Sequence, residues 1–557
     1  MRLRRWLPAL TAVAAALAVT LDRLAWAGIA QWREDPATNI WLGYTRGPLQ
    51  VPVGLVTSVS LPNPNGLVLV SEFLSRLPNL WWVSAVLTLL QAATLAWMCR
   101  LAFDDRRLFL VAVGPLLSSI ILRSASIDLH LHWILIPVNS LFYAGLFIYM
   151  KQRTPWMLPL FTALALLAAS IYVAGAVNSL VYAILALTVF IITPGRLPWK
   201  SWFGPVLVSL GIVILSVWLT WVPYLREMRL AGLQQAASYS GLDLAERLQA
   251  AVEALLKLPL WTLAQYVTYG GQAVEPPYQI SGEMQSAGSL AAYQWGIRLL
   301  LWQATLCYLS VIGAVVLIIR QSRPLREVIS PGTGSVRPAL AFFAAFVVLA
   351  STLSPLLGAA PWVWGLRLDE ALQLVPFLLV LWFALPPALQ LPPPLQKAIT
   401  VLTIATSFAF TALGFVTGLA IVRDNFTYSG PPARVNVPIA YKLQAVSFIA
   451  QDWMSRSSST VIPVDYALQG RYWKWVPEFG LKYLQWYPAP YTLGREFDYS
   501  LLREYGLSNA QEGVQLRTFG SGRYLLTHAS YPPPVVEGHP THEAYFGRLR
   551  VTIVEDR

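Results

Sequence analysis

Charged residues are scarce in this chain, which argues against an ordinary soluble fold. Asp, Glu, Lys and Arg make up 12% of the 557 residues, whereas soluble domains carry about 25%. The deficit lies in residues 1–421, which contain long uncharged stretches, while residues 423–557 have the composition of a soluble domain. The sequence therefore predicts an α-helical polytopic membrane protein with a small C-terminal domain of mixed α/β structure.

Cysteine usage and the placement of charge exclude two further classes of protein. The two cysteines, Cys99 and Cys307, both lie in apolar stretches and are interpreted as small hydrophobic residues. The sequence therefore indicates neither a disulfide framework nor a cysteine metal site. The net charge of +12 does not indicate a nucleic-acid partner, because the basic residues collect in short loops between apolar stretches.

Eleven stretches approach the roughly 20 apolar residues that a helix needs to cross a bilayer. They are residues 5–21, 79–100, 107–122, 131–150, 156–173, 176–193, 202–223, 295–319, 338–357, 370–388 and 398–421. The first stretch has the basic start of a signal peptide. It lacks a clear cleavage pattern, which favours a retained first helix over a cleaved one.

The loops between these stretches alternate in charge. Arginine and lysine collect in short loops on one side, for example at Arg106 and Lys151, and the positive-inside rule makes that side cytoplasmic. The N-terminus is then cytoplasmic. The long loops 22–78 and 224–294 and the C-terminal domain, residues 423–557, are predicted to be extracytoplasmic.

Two adjacent carboxylates stand in the first outer loop. The segment "REDPATNIWLG" (33–43) places Glu34 beside Asp35, which precedes Pro36. Asp before Pro is a typical start of a helix, so Asp35 could serve as a simple cap. Two carboxylates at a membrane surface are nevertheless costly unless a positive or protic group meets them. Glu34 and Asp35 are therefore candidate catalytic residues.

A second acidic turn follows the third predicted span. The segment "RSASIDLHLHW" (123–133) contains Arg123, Asp128, His130 and His132. On a helix Asp128 and His132 would share one face, and on a strand all three would point one way. Three interpretations stay open. Asp128 caps the next helix, or Asp128, His130 and His132 form a divalent-metal site, or Asp128 assists the acid of the first loop.

These two segments, with the weaker "RLDEALQLVP" (367–376), resemble the GT-C superfamily of membrane glycosyltransferases. The likeness is to bacterial members of the dolichyl-phosphate-mannose and aminoarabinose transferase type. The layout is similar too, with about eleven spans, a long first outer loop and an outer C-terminal domain. The resemblance implies transfer of a sugar from a polyprenyl-phosphate carrier to an acceptor hydroxyl, at the outer face of the bacterial plasma membrane.

The resemblance also implies roles for individual residues. Asp35 or Glu34 would be the general base, and Asp128 the second acid. An arginine would meet the donor phosphate, because its planar fork matches two phosphate oxygens. The candidates are Arg46, Arg123 and Arg367. The acceptor would be a glycan, a lipid or a protein. No cofactor is assigned, and a divalent metal stays open.

Two alternatives share the same features. An envelope polysaccharide polymerase, ligase or flippase also has many spans and large outer loops. A non-enzymatic membrane protein could instead present its C-terminal domain to partners. The middles of the predicted spans contain almost no ionisable residues, which ion-coupled transporters usually need there. Convergence of the outer acids on one hollow open to lipid would favour the transferase.

Regular structure is also predicted outside the spans. An amphipathic helix is expected at 241–258, with Asp243 and Glu246 as a capping box. The apolar residues between 40 and 56 suggest short interfacial helices, and residues 61–67 suggest a rigid turn. The C-terminal pattern predicts helices near 438–455 and 498–506 and strands near 459–465, 523–529 and 548–554.

Overall fold

The structure is a computed structural model dominated by apolar α-helices. It describes residues 2–30, 39–40, 53–56, 62–127, 129, 133–172, 175–192, 198–227, 243–249, 251–252, 305, 337–356, 373–388, 392–427, 438–456, 464–466, 524–528, 539–547 and 549–555.

The described elements are mainly helices, and four of the six described strands lie near the C-terminus. The helices are α1 (Arg2–Gly28), α2 (Gly66–Leu74), α3 (Leu80–Ala102), α4 (Arg106–Ser118), α5 (Ile120–Ser124), α6 (Leu135–Gln152), α7 (Met157–Ile171), α8 (Gly175–Ile192), α9 (Lys200–Ser216), α10 (Arg337–Leu356), α11 (Val375–Ala388), α12 (Pro393–Thr427) and α13 (Ile439–Arg456). The strands are β1 (Val53–Val56), β2 (Pro62–Pro64), β3 (Val464–Tyr466), β4 (Tyr524–His528), β5 (His539–Phe546) and β6 (Leu549–Glu555).

Among the described residues, four helices are long and apolar enough to cross a membrane. This confirms the mainly helical fold expected from the sequence and agrees with a membrane protein. The four helices are Thr11–Gly28, Leu80–Ala102, Lys200–Glu227 and Pro393–Arg423. Shorter apolar helices, α7 and α8 among them, lie between these four. Described helices coincide with ten of the eleven predicted spans, and 295–319 lies outside the described residues except for Thr305. The number of crossings stays a prediction.

Two predicted spans have different boundaries in the structure. Helix α1 continues to Gly28, so Asp22 and Arg23 lie inside a helix and not in the first outer loop. The span predicted at 107–122 is divided into α4 and α5 at Ser119, whose backbone leaves the helical region with ψ 119°. This break turns the chain just before Arg123.

Buried amide side chains connect α6 and α8 with Gln373, which lies just before α11. The Asn139 amide donates to Gln373 at 3.3 Å, and the Asn178 amide donates to Gln373 at 2.5 Å. The Tyr182 hydroxyl donates to the Asn139 carbonyl oxygen. All four side chains are buried among aromatic rings. In an apolar bundle such bonds satisfy the amides and fix how the helices pair.

Helices α4 and α12 pack closely enough for their backbones to approach. The Ser407 hydroxyl of α12 donates to the carbonyl of Val111 in α4 at 2.8 Å. A Cβ on Gly114 would lie 2.6 Å from the Thr411 hydroxyl oxygen. Small residues at such positions let neighbouring helices come together in a membrane.

The first loop is partly a hairpin, so the expectation of an interfacial helix was wrong for residues 53–56. Strand β1 pairs antiparallel with β2, which replaces part of the predicted turn at 61–67. The β-branched residues Val53 and Val56 suit this extended backbone. The Asn65 amide then donates to the carbonyl of Leu219 at 3.2 Å. Leu219 lies in a π-helical turn, Val217–Trp221, that continues α9.

The capping box predicted near residue 243 is confirmed. The Glu246 amide donates to the Asp243 carboxylate at 2.8 Å, and the Asp243 amide donates to the Glu246 carboxylate at 3.0 Å. Residues 244–249 and 251–252 are helical, and Leu244 and Leu248 are exposed.

The C-terminal part packs α13 against a four-stranded sheet with the order β3-β4-β6-β5. Strands β3 and β4 are parallel, and the other pairs are antiparallel. The helix near 438–455 and the strands near 523–529 and 548–554 are confirmed, and β3 overlaps the end of the strand predicted at 459–465. Sequence reasoning missed β5, "HPTHEAYF", because its first half is polar and contains a proline. The helix predicted at 498–506 lies outside the described residues.

The start of α13 contacts the helical bundle at the end where α1 finishes. The amide of Ile439 donates to the carbonyl of Ala30 at 2.8 Å, and the Tyr441 hydroxyl donates to the carbonyl of Phe426 at 2.9 Å. The first loop and the C-terminal part therefore leave the bundle from the same end.

A cysteine-labelling experiment tests the predicted topology. With both natural cysteines replaced by alanine, Tyr545→Cys in the exposed face of β5 should react with a membrane-impermeant maleimide on intact cells. Gln152→Cys, exposed between Lys151 and Arg153, should react only after permeabilisation, because the positive-inside rule places that loop in the cytoplasm. Reaction of both sites from the same side would contradict the topology.

Candidate functional site

Most residues predicted to form the site fall outside the part of the chain that the structure describes. These are Glu34, Asp35, Arg46, Asp128, His130, His132 and Arg367, and their roles stay predictions. Arg123 is described, and so are Asn39 and Ile40 from the first acidic segment. Ile40 is fully buried in the apolar core, so part of segment 33–43 lies within the protein.

Arg123 is buried in an ion pair with Asp22 of α1. Its Nη1 donates to the Asp22 carboxylate at 2.8 Å, and both side chains are almost fully buried, at 0% and 5% exposure. Its Nη2 donates to two backbone carbonyls, that of Ser118 at 2.6 Å and that of Gly414. The guanidinium also lies over the Trp26 ring, 5.0 Å from the centroid. Arg123 thus links α1, the α4–α5 break and α12.

Two glycines on α12 make room for this guanidinium. They belong to the segment "GFVTG", with Gly414 and Gly418 one helical turn apart. A Cβ on Gly418 would lie 2.2 Å from Nη1 of Arg123, and one on Gly414 would lie 2.6 Å from the carbonyl oxygen of Ser118. The ring of Phe415, between them in sequence, lies 5.4 Å from the guanidinium. A side chain at position 418 would therefore displace Arg123, and one at position 414 would displace Ser118, whose carbonyl accepts from Arg123.

Arg23, the residue next to Asp22, is also fully buried but has a different environment. Its Nη1 donates to the Gln91 side chain and to the Ser126 hydroxyl, both at 3.4 Å, and its Nη2 donates to the carbonyl of Leu117 at 3.2 Å. All of these acceptors are neutral, and all three distances are long for hydrogen bonds. Within the described part of the chain, no carboxylate pairs with Arg23.

The stem of the second acidic turn is held by several contacts. The Ser126 hydroxyl, which accepts from Arg23, donates to the carbonyl of Arg123 at 2.7 Å. The Ser84 hydroxyl of α3 donates to the carbonyl of Ile127. These contacts hold residues 123–127, which precede Asp128 in the sequence.

The Asp22–Arg123 pair brings together the stems of both acidic segments. Asp22 lies on the helix that leads into segment 33–43, and Arg123 opens segment 123–133. The last turns of α1 and the start of segment 123–133 are therefore linked, although they are about a hundred residues apart in sequence.

The sequence predictions missed Asp22, Arg23 and Gln91. A signal existed for the first two, because adjacent ionisable residues inside a helix of apolar residues are functional candidates by default. The hydropathy boundary at residue 21 placed them in a loop instead. Gln91 gave no signal, because one glutamine in an apolar helix is compatible with a simple interhelical hydrogen bond.

No cluster of three or more His, Cys, Asp or Glu side chains suited to a metal ion occurs among the described residues. The predicted ligands Asp128, His130 and His132 are not among the described residues, so a divalent-metal site at these three residues stays a prediction.

No protein-family model, curated protein or solved structure matches the chain.

Replacing Gly418 by alanine should destabilise the bundle. The added Cβ would overlap the Arg123 guanidinium, which cannot swing away without leaving Asp22 and two carbonyls. Overpacking of this kind costs about 1–3 kcal/mol. Gly211→Ala on α9 is the matched control, because nothing lies within 4 Å of its Cβ position, and an added alanine stabilises helices slightly. Unfolding of the purified protein in detergent gives the comparison, and equal midpoints would contradict the packing.

Breaking the buried ion pair should cost far more than breaking an exposed one. Asp22→Asn leaves the Arg123 guanidinium without its carboxylate, at an expected cost of about 3–5 kcal/mol. Asp22→Asn combined with Arg123→Met should recover a large part of that loss. The exposed Lys151–Asp104 pair has the same 2.8 Å distance, so Asp104→Asn should cost at most about 1 kcal/mol. Equal losses of unfolding free energy for Asp22→Asn and Asp104→Asn would overturn the assignment.

Proposed function

We propose that this chain is a membrane-embedded glycosyltransferase that moves a sugar from a polyprenyl-phosphate carrier to an acceptor hydroxyl. The Asp22–Arg123 contact carries the proposal. It ties the helix that leads into Glu34 and Asp35 to the turn that leads into Asp128. The proposed reaction needs a proton acceptor close to a second polar group at the membrane surface, and the link between these stems favours such an arrangement.

The proposed chemistry uses one carboxylate as a general base. The acceptor oxygen attacks the anomeric carbon of the sugar, and the bond from that carbon to the phosphate oxygen breaks. The phosphate departs with the bonding electron pair and therefore needs no general acid. The acceptor proton passes to the carboxylate of Asp35 or Glu34, which must be within hydrogen-bond reach of the hydroxyl. Asp128 orients the acceptor or the sugar.

The apolar surface of the bundle suits a carrier with a long hydrocarbon tail. Helix α9 exposes the large apolar side chains of Phe203, Leu207 and Leu210, and the π-helical turn that continues it exposes Trp218. Exposed apolar residues also line α12, such as Phe408 and Val416. In the proposed complex the tail lies in lipid against such faces while the phosphate stays at headgroup depth. Burial of apolar surface would then contribute to donor affinity without any polar contact.

Substitution of the candidate acids tests the proposal. Purified protein is mixed with a panel of polyprenyl-phosphate sugars and acceptor lipids, with and without a chelator, and sugar transfer is measured. Replacing the base, by Asp35→Asn or Glu34→Gln, should lower the transfer rate by at least about a hundredfold, because general-base catalysis contributes about 10²–10⁴. Asp128→Asn should also lower the rate.

Glu72→Gln is the matched control. Glu72 lies in α2, within the predicted first outer loop, and its carboxylate pairs with Arg76 at 3.3 Å in a partly exposed ion pair. Its replacement should leave transfer unchanged, since such a pair contributes little. Full activity in folded Asp35→Asn and Glu34→Gln variants would refute the proposed base. If the protein moves the lipid-linked sugar across vesicle membranes and transfers no sugar to an acceptor, the result would support a flippase instead.

A further inference from the structure

The cluster around Arg23 carries more positive than negative charge. It contains one carboxylate, Asp22, and two guanidiniums, Arg23 and Arg123, which leaves a surplus of one positive charge. Each of these side chains is at most 6% exposed. Removing a charge from water costs several kcal/mol unless another charge and hydrogen bonds compensate it. Asp22 is engaged by Arg123, so the surplus resides at Arg23.

The same cluster contains buried donors without acceptors. Within the described part of the chain, the Arg23 Nε, the Arg123 Nε, the Gln91 Nε2 and the Trp26 Nε1 have no hydrogen-bond partner. The corresponding unpaired acceptor is a single oxygen, Oδ2 of Asp22. Four donors and one acceptor, together with surplus positive charge, are complementary to a group that is anionic and rich in acceptor oxygens.

We infer that Arg23, with Gln91 beside it, binds the phosphate group of the lipid carrier. This inference rests on the proposed function, because it assigns the phosphate contact of that same site. A phosphate supplies a negative charge and several acceptor oxygens, and the arginine fork matches two of them. The Gln91 amide nitrogen is the neighbouring donor. Its oxygen already accepts from Arg23 at 3.4 Å, so the two side chains are adjacent.

Arg123 is a positioning residue in this arrangement. Its Nη atoms are committed to Asp22, Ser118 and Gly414. Arg23, by contrast, makes long contacts to neutral groups, which a phosphate can replace with shorter, charge-assisted ones. The sequence analysis selected Arg123 as a phosphate contact, and the described geometry favours its neighbour across the cluster.

Binding of a carrier phosphate without any sugar tests the assignment. Purified full-length protein is titrated with a short-chain polyprenyl phosphate, with the matching uncharged polyprenol and with inorganic phosphate. Arg23→Met should weaken polyprenyl-phosphate affinity by at least about tenfold, the loss expected for one hydrogen-bonded charge. Polyprenol affinity should not change. Arg107→Met, an exposed arginine at the opposite end of α4 from the break, is the control and should not change either value.

Gln91→Glu provides a variant that does not depend on losing a buried side chain. The new carboxylate beside Arg23 would supply the missing negative charge and remove the Nε2 donor. The unfolding temperature should therefore rise or hold, while polyprenyl-phosphate affinity falls by at least about tenfold. A purely structural role for Arg23 would predict a stability change without loss of phosphate affinity. Unchanged affinity in both Arg23→Met and Gln91→Glu would overturn the assignment.

The outcomes separate this inference from the proposed function. If Arg23→Met and Gln91→Glu bind phosphate normally while Asp35→Asn or Glu34→Gln abolishes transfer, the function stands and the phosphate site is elsewhere. If the acid variants keep full transfer while Arg23→Met loses phosphate affinity, the phosphate site stands and the proposed base fails. Equal affinity for inorganic phosphate and polyprenyl phosphate would indicate a general anion site, which overturns the assignment to a lipid carrier.

Discussion

The buried pair between Asp22 and Arg123 constrains the helices around it. Inside an apolar bundle a charge is costly to bury unless its partner and its remaining hydrogen bonds are fixed together. Arg123 meets this condition through one carboxylate and two backbone carbonyls that come from different elements. A shift of α12 or of the α4–α5 break would leave part of the guanidinium without acceptors. The pair therefore specifies how these elements pack, and it does so where segment 123–133 begins.

Much of the fold could be predicted because long apolar runs leave few alternatives. A stretch of about 20 apolar residues is satisfied in a membrane by a helix, which pairs its own backbone groups. Described helices therefore lie at ten of the eleven predicted spans. The boundaries were harder, because hydropathy registers the first charge and not the end of the hydrogen-bonded helix. Helix α1 passes through Asp22 and Arg23 to Gly28, so the residues that look like a loop are part of the bundle.

The candidate site was less accessible to sequence reasoning. The acidic segments 33–43 and 123–133 could be selected by their charge, but the link between the helix before the first segment and the start of the second depends on a contact between residues 22 and 123. Nothing local in either segment encodes that contact. The motif "GFVTG" on α12 is visible as two glycines one turn apart, a typical sign of close helix packing. Its partner in the structure is an arginine side chain and a backbone carbonyl from the α4–α5 break, which periodicity alone does not indicate.

The guanidinium of Arg123 has closer and more strongly charged hydrogen-bond partners than that of Arg23. This difference suggests that Arg123 holds the helices together and that Arg23 binds a ligand. A side chain whose donors are all occupied within the fold stabilises the empty protein and has little left for a ligand. One that is buried with long, neutral contacts destabilises the empty protein, and a ligand of opposite charge recovers that free energy on binding. The Nη atoms of Arg123 are occupied within the fold. Arg23 is the side chain with long contacts to neutral groups. The two adjacent residues of α1 thus have different consequences: Asp22 fixes the bundle through Arg123, while Arg23 keeps a positive charge available beside it.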